Sequence, residues 1–380
     1  MLFSRFCKSL AGLGLGAFAL LGEEEFRPLF NGRDLSGWVN VNCAPSTWTA
    51  TNGVIFCTGA PIGELRTERM YQNFVLEAEW RHLRPKGNAG IFVWADALTA
   101  RGQPFIRGVE VQVLDGQEGA WFTSDGDIFP IHGAKMTPFN GRGGDRAFPT
   151  EKRVKPSPEW NHYRIECLNG AISLAVNGKV VTTGTNASPR KGYICLESEG
   201  SPVEFRNLRL RELPPVNALP PALIANSDEH FRPLYNGLNL EGWSEPTGPS
   251  AWKPNDWTLI GSPTHGAGIR TVDPVGDGEF IFDWRWTDAK APGNWTKLVR
   301  LRGHDLAPLL ATADRARLET KPGEWNRVRM RIRGSLLDAQ LNSQPLVTGK
   351  PLPGPASGPL ELNAPNAPVE VANLFWRRLD

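Results

Sequence analysis

Glu110 and Gln112 stand two residues apart in the stretch GVEVQVLDG, alternating with Val109, Val111 and Val113. A strand turns successive side chains to opposite faces, so the two polar groups share one face at a separation of about 7 Å. Glu77 and Glu79 repeat the arrangement in FVLEAEWR, where Phe74, Leu76, Ala78 and Trp80 take the other face. Carboxyl groups at such spacing suit general acid and base work, one removing a proton while another delivers one. If this polar face is the concave side of a sheet, Glu110 and its neighbours converge on a groove with Asp115, at the strand's end. A solvated strand face is the competing reading.

Other residues could complete a site. Asn88 precedes a short apolar run in GNAGIFVW, as a ligand-facing amide at a rim or as a turn residue. Trp94 and Trp121 are either stacking platforms or core anchors. His132 and Lys135 fall in PIHGAKMTPFNGRGGDRAFP, a long irregular segment of the kind that carries function over a rigid scaffold.

These residues must be positioned by strands. The chain of 380 residues exceeds what one core fills, and 40 glycines with 32 prolines argue for short segments between turns. Strand candidates include Gly53 to Cys57, Gly90 to Ala95, His162 to Leu168, Ala171 to Val176, Gly192 to Ser198 and Val203 to Leu213. Asn169-Gly170 and Asn177-Gly178 are hairpin turn signals. Many strands with tight turns and no long amphipathic helix give an all-β expectation, a jelly-roll β-sandwich.

Residues 1–22 set Arg5 and Lys8 ahead of an uncharged run that ends at Glu23, the pattern of a secretory signal rather than a membrane span. Export to the periplasm, the cell envelope or the medium is the expectation, with no membrane span in the mature chain. Loss of that segment leaves 40 Lys plus Arg against 40 Asp plus Glu, a balance that gives no support to a nucleic-acid partner. Four cysteines then remain, Cys43, Cys57, Cys167 and Cys195. Pairing of Cys43 with Cys57 and burial as free thiols both stay open. Serine-hydrolase, P-loop and zinc-protease motifs are absent from the sequence.

The sequence also repeats itself. FRPLFNGRDLSGW (Phe26 to Trp38) returns as FRPLYNGLNLEGW (Phe231 to Trp243), and NFVLEAEW, PEWNHYRIECLNG and VEFRNLRLREL have counterparts in EFIFDWRW, GEWNRVRMRIRG and VEVANLFWRRL. The organisation expected is a signal at 1–22, a first domain at 23–213, a proline-rich linker at 214–228 and a second, shortened copy at 229–380. Phe74 and Trp160 are 86 residues apart, whereas Phe280 and Trp325 are 45 apart. Roughly 40 residues are therefore missing from the second copy, those holding GVEVQVLDG and the His132 segment. Trp160-Asn161 and Trp325-Asn326 recur in both copies and are expected to be structural.

The set FRPLFNGRDLSGW, NFVLEAEW, GNAGIFVW, GVEVQVLDG, PEWNHYRIE, VNGKVV and GSPVEFRNLRLREL resembles the 3-keto-disaccharide hydrolase family. The resemblance implies a concanavalin A-like jelly roll and, through the repeat, two such domains in tandem. It also implies hydrolysis or elimination at oxidised glycosides. A ketone at C3 acidifies the C2 proton, a carboxylate removes it, and a second acid protonates the departing O1. Lys135, or a divalent metal as cofactor, would stabilise the enolate oxygen. Glu110, Asp115, Lys135 and His132 are the catalytic candidates on this reading, and Gln112, Glu79, Asn88 and Trp94 the substrate-binding ones. Where the family often reads His-Gly-Asp, this chain has Asp125-Gly126-Asp127. A carbohydrate-binding or cell-surface interaction module without catalysis is the rival expectation, and the partner of the second domain is left open.

Overall fold

The computed structural model describes residues 25–116, 124–244, 248–263, 266–290, 292–312 and 315–379. The expected signal segment and Trp121 lie outside them. The chain forms two β-sandwiches. In the first, the larger sheet orders its strands as Lys135–Pro138, Lys179–Ser188, Ala171–Val176, Asn161–Leu168, Phe74–His82, Val203–Glu212, Val54–Cys57 and Trp48–Thr51, and Arg27–Pro28 adds to Val203–Glu212. The smaller sheet runs Trp38–Asn40, Gly63–Thr67, Tyr193–Ser198, Asn88–Ala95, Gly108–Leu114 and Ile128–Ile131. Every ladder is antiparallel.

Period-two patterning explains the packing. Phe74, Leu76, Ala78 and Trp80 meet Ile91, Val111 and Leu196 of the facing sheet in one apolar core. Each large apolar side chain fully withdrawn from water stabilises the sandwich by about 1.5–3 kcal/mol. The Asn-Gly turns are as the sequence predicts, with φ of 53° and 84° at Asn169-Gly170 and 47° and 87° at Asn177-Gly178, the left-handed pair that a two-residue hairpin needs.

The second sandwich repeats the strand order. Its larger sheet runs Trp252–Asn255, Thr258–Gly261, Val369–Arg378, Gly278–Trp286, Asn326–Arg333, Leu336–Leu341 and Gln344–Pro351, and its smaller sheet Trp243–Ser244, Ile269–Thr271, Leu360–Leu362, Val299–Leu301 and His304–Asp305. The counterpart of GVEVQVLDG is therefore shortened to His304–Asp305 rather than lost. No described strand of the second sandwich matches Ile128–Ile131 or Lys135–Pro138.

The thirteen-residue repeat is scaffold in both halves. Asn31 Oδ1 accepts from the Arg33 and Asp34 amides, and Asn236 Oδ1 accepts from those of Leu238 and Asn239. Trp38 and Trp243, both buried, donate through Nε1 to the carbonyls of Leu29 and Leu234. Asn161 and Asn326 are structural in the same manner, accepting from the Lys155 and Thr320 amides at 2.8 and 2.9 Å.

Of the two readings for cysteine, burial prevails: Cys43, Cys57, Cys167 and Cys195 are all free and buried, so no Cys43–Cys57 bridge forms. The proline-rich segment is extended but lies tethered along the first sandwich, through Arg190 N to Leu223 O, Ala225 N to Lys191 O and Ala97 N to Asn226 O. Among the described residues no helix is long and apolar enough to cross a membrane.

Candidate functional site

Register builds the site. Gly90 pairs with Gln112 and Phe92 with Glu110, Cys195 pairs with Phe92, and Glu197 pairs with Glu64. Leu65, Ile91, Val111 and Leu196 occupy the intervening positions and point into the core. Glu64, Gly90, Glu110, Gln112 and Glu197 therefore share the other face of the smaller sheet, turned away from the larger one.

Gly90 sits at the centre of this row and supplies space. A Cβ there would stand 2.8 Å from both Glu110 Oε1 and Glu197 Oε2, so those oxygens are separated by at most twice that distance. Glu64, Glu110 and Glu197 are buried, with 0%, 5% and 1% of their surfaces exposed. Among the described residues, Glu64 Oε2 and Glu197 Oε2 have no hydrogen-bond partner. Half-buried Asn88, Glu199 and Phe129 border the cluster.

Burial and mutual repulsion hold these groups toward the protonated form. Desolvation, then the charge of Glu199, pushes Glu110 well above the ordinary carboxylate range, while Arg146 draws it down. Glu197 is raised well above that range by desolvation and then by Glu110 and Glu199. Desolvation lifts Glu64 to about 8, opposed by the Ile106 amide, which donates to Oε1 at 2.8 Å. Desolvation also raises Glu199, against hydrogen bonds from Glu197 and Asn88. Arg146 reaches Asp127 Oδ2 at 3.0 Å and lies 3.3 Å over the Phe129 ring. Acidic groups this close titrate as a set, so one member can be charged while its neighbour holds a proton.

The structure brings together three of the residues singled out in the sequence. Gln112 Nε2 donates to Asn88 Oδ1 at 2.7 Å, and Asn88 Nδ2 donates to Glu199. Glu110 stands on the same strand face as Gln112. The remaining candidates lie elsewhere. Asp115, an odd number of residues from Glu110, turns inward, and its Oδ2 accepts from the Ser157 amide at 3.0 Å. Glu79 belongs to the larger sheet and faces away from the core, paired with Arg206 at 2.7 Å. Lys135 lies on the edge of that sheet, exposed beside buried Met136. His132 occupies an exposed turn at φ 54°. Trp94 is a core anchor: it is fully buried, donates to Gln72 O at 2.8 Å and packs edge-on against Phe74.

Glu64, Glu197, Glu199 and Arg146 were not anticipated. Alternation in GYICLES sets Cys195 and Glu197 on one face, but only the pairing of Tyr193–Ser198 with Asn88–Ala95 places that face beside Glu110. A groove of about 1700 Å³ on the larger sheet is lined by Phe26, Tyr71, Glu77, His162 and Asn207, among others. Three carboxylates of that groove are matched: Glu77 by Arg209, Arg164 and His162, Glu79 by Arg206, and Glu212 by Arg69. Among the described residues no group of three or more His, Cys, Asp or Glu side chains is disposed to hold a metal ion.

The same register in the second sandwich gives a direct comparison. Leu362 pairs with Val299 and Ile269, and Glu361 with Arg300 and Arg270, as Leu196 and Cys195 do with their partners. Asn363 then stands in the place of Glu197, Gly268 in that of Glu64 and Leu298 in that of Gly90. Arg300 pairs with Asp305 as Phe92 pairs with Glu110. The acid cluster is thus not repeated: Asn363 and Gly268 stand where two of its acids are, and Asp305, in the place of Glu110, is exposed.

Residues 25–211 match the model of a 3-keto-alpha-glucoside-1,2-lyase-like domain. Two candidate glycosyl hydrolases of Parabacteroides distasonis are similar in structure. One is 21% identical over 50% of this chain and 94% of that chain, with a TM-score of 0.39. The other is 25% identical over 50% of this chain and 100% of its own, with a TM-score of 0.38. A carbohydrate-binding module, CBM66 of Bacillus subtilis, is 11% identical over 46% of this chain and 96% of its own, with a TM-score of 0.34. Comparison with curated proteins gave no match.

Proposed function

We propose, from the match of residues 25–211 to the 3-keto-alpha-glucoside-1,2-lyase-like domain, that the Glu110–Glu197 pair cleaves 3-keto-glycosides in an exported protein. The observation that carries this reading is the pair itself: two buried carboxyl groups facing each other across Gly90, one with an unpartnered oxygen.

The ionised member of the pair takes the proton from C2, and the C–H electrons form an enolate with its charge on the C3 oxygen. Arg146, whose charge already acts on Glu110, supplies positive potential in the role the sequence suggested for Lys135. The ketone then re-forms as a C1–C2 double bond develops, the C1–O1 bond breaks and the protonated carboxyl delivers its proton to O1. The products are a free alcohol and an unsaturated 3-keto sugar. Addition of water across the double bond completes a net hydrolysis. Asn88 and Gln112 orient the sugar hydroxyls from the edge of the cluster. On this reading the second sandwich keeps the framework but has Asn363 and Gly268 where Glu197 and Glu64 stand, with the exposed Asp305 in the place of Glu110.

The test is incubation with a 3-keto-α-glucoside, following alcohol release by chromatography. Glu110→Gln and Glu197→Gln should each lower turnover by about 100-fold or more. Tight sugar binding without product would favour a binding module. Undiminished turnover by the double variant would remove the site assignment.

A further inference from the structure

Asp283 in the second sandwich is fully buried although it stands on the face of its strand opposite the core residues Phe282 and Trp284. Its carboxylate accepts from Arg327 Nε and Nη2 at 2.7 and 2.8 Å, from Asn373 Nδ2 at 2.7 Å and from the Gly102 amide of the first sandwich at 2.7 Å. Asn373 also donates to the carbonyls of Ala100 and Gln103, and its Oδ1 accepts from Thr99 Oγ1 at 2.7 Å. Arg327 Nη2 donates to Thr99 O at 2.9 Å. A Cβ on Gly102 would come within 2.1 Å of the Trp325 ring, so only glycine lets the backbone approach this closely.

The segment held in this way does not end at the interface. Thr99 pairs with Ile106, Ala100 N donates to Phe105 O, and the Ile106 amide donates to Glu64 Oε1 at 2.8 Å. Asn42 links the same parts, donating to Pro104 O while accepting from the Glu64 amide. An unbroken series of hydrogen bonds therefore runs from Asp283 to one wall of the acid cluster. Ile281 and Phe375 of the second sandwich pack with Phe92, Ile106 and Cys195 in a shared apolar cluster, and Phe92 and Cys195 are the strand partners next to Glu110 and Glu197.

Among the described residues the first sandwich has no equivalent. Its Glu77, His162 and Asn207 correspond in the repeat to Asp283, Arg327 and Asn373, and they line the open groove on the larger sheet. The socket has been adapted to hold a loop in the second copy only.

We infer that the second sandwich is a positioning element for the first: Asp283, Arg327 and Asn373 clamp residues 99–103 and so keep the Ile106 amide on Glu64. This inference rests on the proposed role of the acid cluster for its catalytic consequence. Glu64 also faces Glu197, Cys195 and, through space, Glu110.

The test uses the full chain and Asn373→Gly, chosen because Asn373 has φ of 52°, which glycine adopts without strain. Thr99→Val is the gentler second variant, and Arg300→Ala, at a partly exposed pair with Glu361 on the smaller sheet of the second sandwich, controls for destabilisation. Hydrogen exchange at Ile106 should quicken about tenfold or more in the first two variants and not in the third. The Glu64 carboxyl, followed by carbon-13 NMR in glutamate-labelled protein, should titrate at higher pH once its amide donor is loosened. Turnover of a 3-keto-α-glucoside should fall with KM little changed. Unaltered Ile106 exchange, or faster exchange with an unaltered Glu64 titration, would overturn the clamp. A wild-type protein inactive on the sugar would instead count against the proposed function, and the two NMR measurements would still decide the clamp.

Discussion

Replacing Glu64 with glutamine isolates the cost of holding an acid in the sandwich. Glu64 is fully buried and its carboxyl is lifted to about 8 from an ordinary 4.5, desolvation outweighing the Ile106 amide. A group raised on folding binds more protons in the folded than in the unfolded state between those two values. Stability must therefore fall as pH rises from about 4.5 to about 8, and level off above it. Each tenfold difference in acidity is worth about 1.4 kcal/mol, which sets a ceiling of about 5 kcal/mol for this one group. Glutamine keeps the shape and the acceptor for Ile106 but cannot ionise. Urea unfolding of both proteins at pH 5, 6.5 and 8 should show the variant gaining on the wild type by several kcal/mol across that window. Glu110 and Glu197 are raised too, and the variant retains their contribution, so its own curve should still slope. A difference between the two proteins that stays constant within about 0.5 kcal/mol would refute the assignment of a buried, proton-holding Glu64.

Three further substitutions separate the site from the scaffold. Gly90→Ala places a methyl 2.8 Å from both Glu110 and Glu197; the melting curve should register about 1–3 kcal/mol of overpacking, and turnover should be largely lost. Trp94→Phe removes the hydrogen bond to Gln72 O; denaturant unfolding should show a loss of about 1 kcal/mol, while calorimetric titration with a sugar ligand stays unchanged, as a core role requires. Glu79→Gln breaks a partly exposed pair with Arg206; stability should change by less than about 1 kcal/mol, and the rate on a 3-keto-α-glucoside should match wild type.

Much of the scaffold is legible because its causes are local. Alternation in FVLEAEWR, the Asn-Gly turns and the duplicated FRPLFNGRDLSGW all express short-range geometry, and strands and turns appear where they predict. The site is legible only in part. Glu110 and Gln112 declare a shared face through their spacing, and Asn88 joins them across the ladder. Asp115 was misplaced because its odd offset from Glu110 sends it through the sheet, a fact that alternation itself contains. Glu79 and Lys135 sit on the larger sheet, and spacing along a strand does not say which of two sheets will receive it. Glu197 and Glu64 come from strands distant in sequence, and their convergence depends on non-local pairing that no short window encodes. The interlock of Asp283 with Gly102 is less accessible still, since 181 residues separate its partners.

The four buried cysteines have a consequence in time. Burial raises the thiols of Cys43, Cys167 and Cys195 well above their usual range, and lifts Cys57 to about 11, so almost none is a thiolate in the folded chain and none can attack a disulfide or an oxidant. During synthesis and folding the same thiols are open to solvent and titrate near their ordinary value. The window for mispairing is therefore set by how fast the first core closes over Cys43, Cys57 and Cys167 and the second sandwich packs over Cys195, and once both have formed the thiols are shielded without any covalent link.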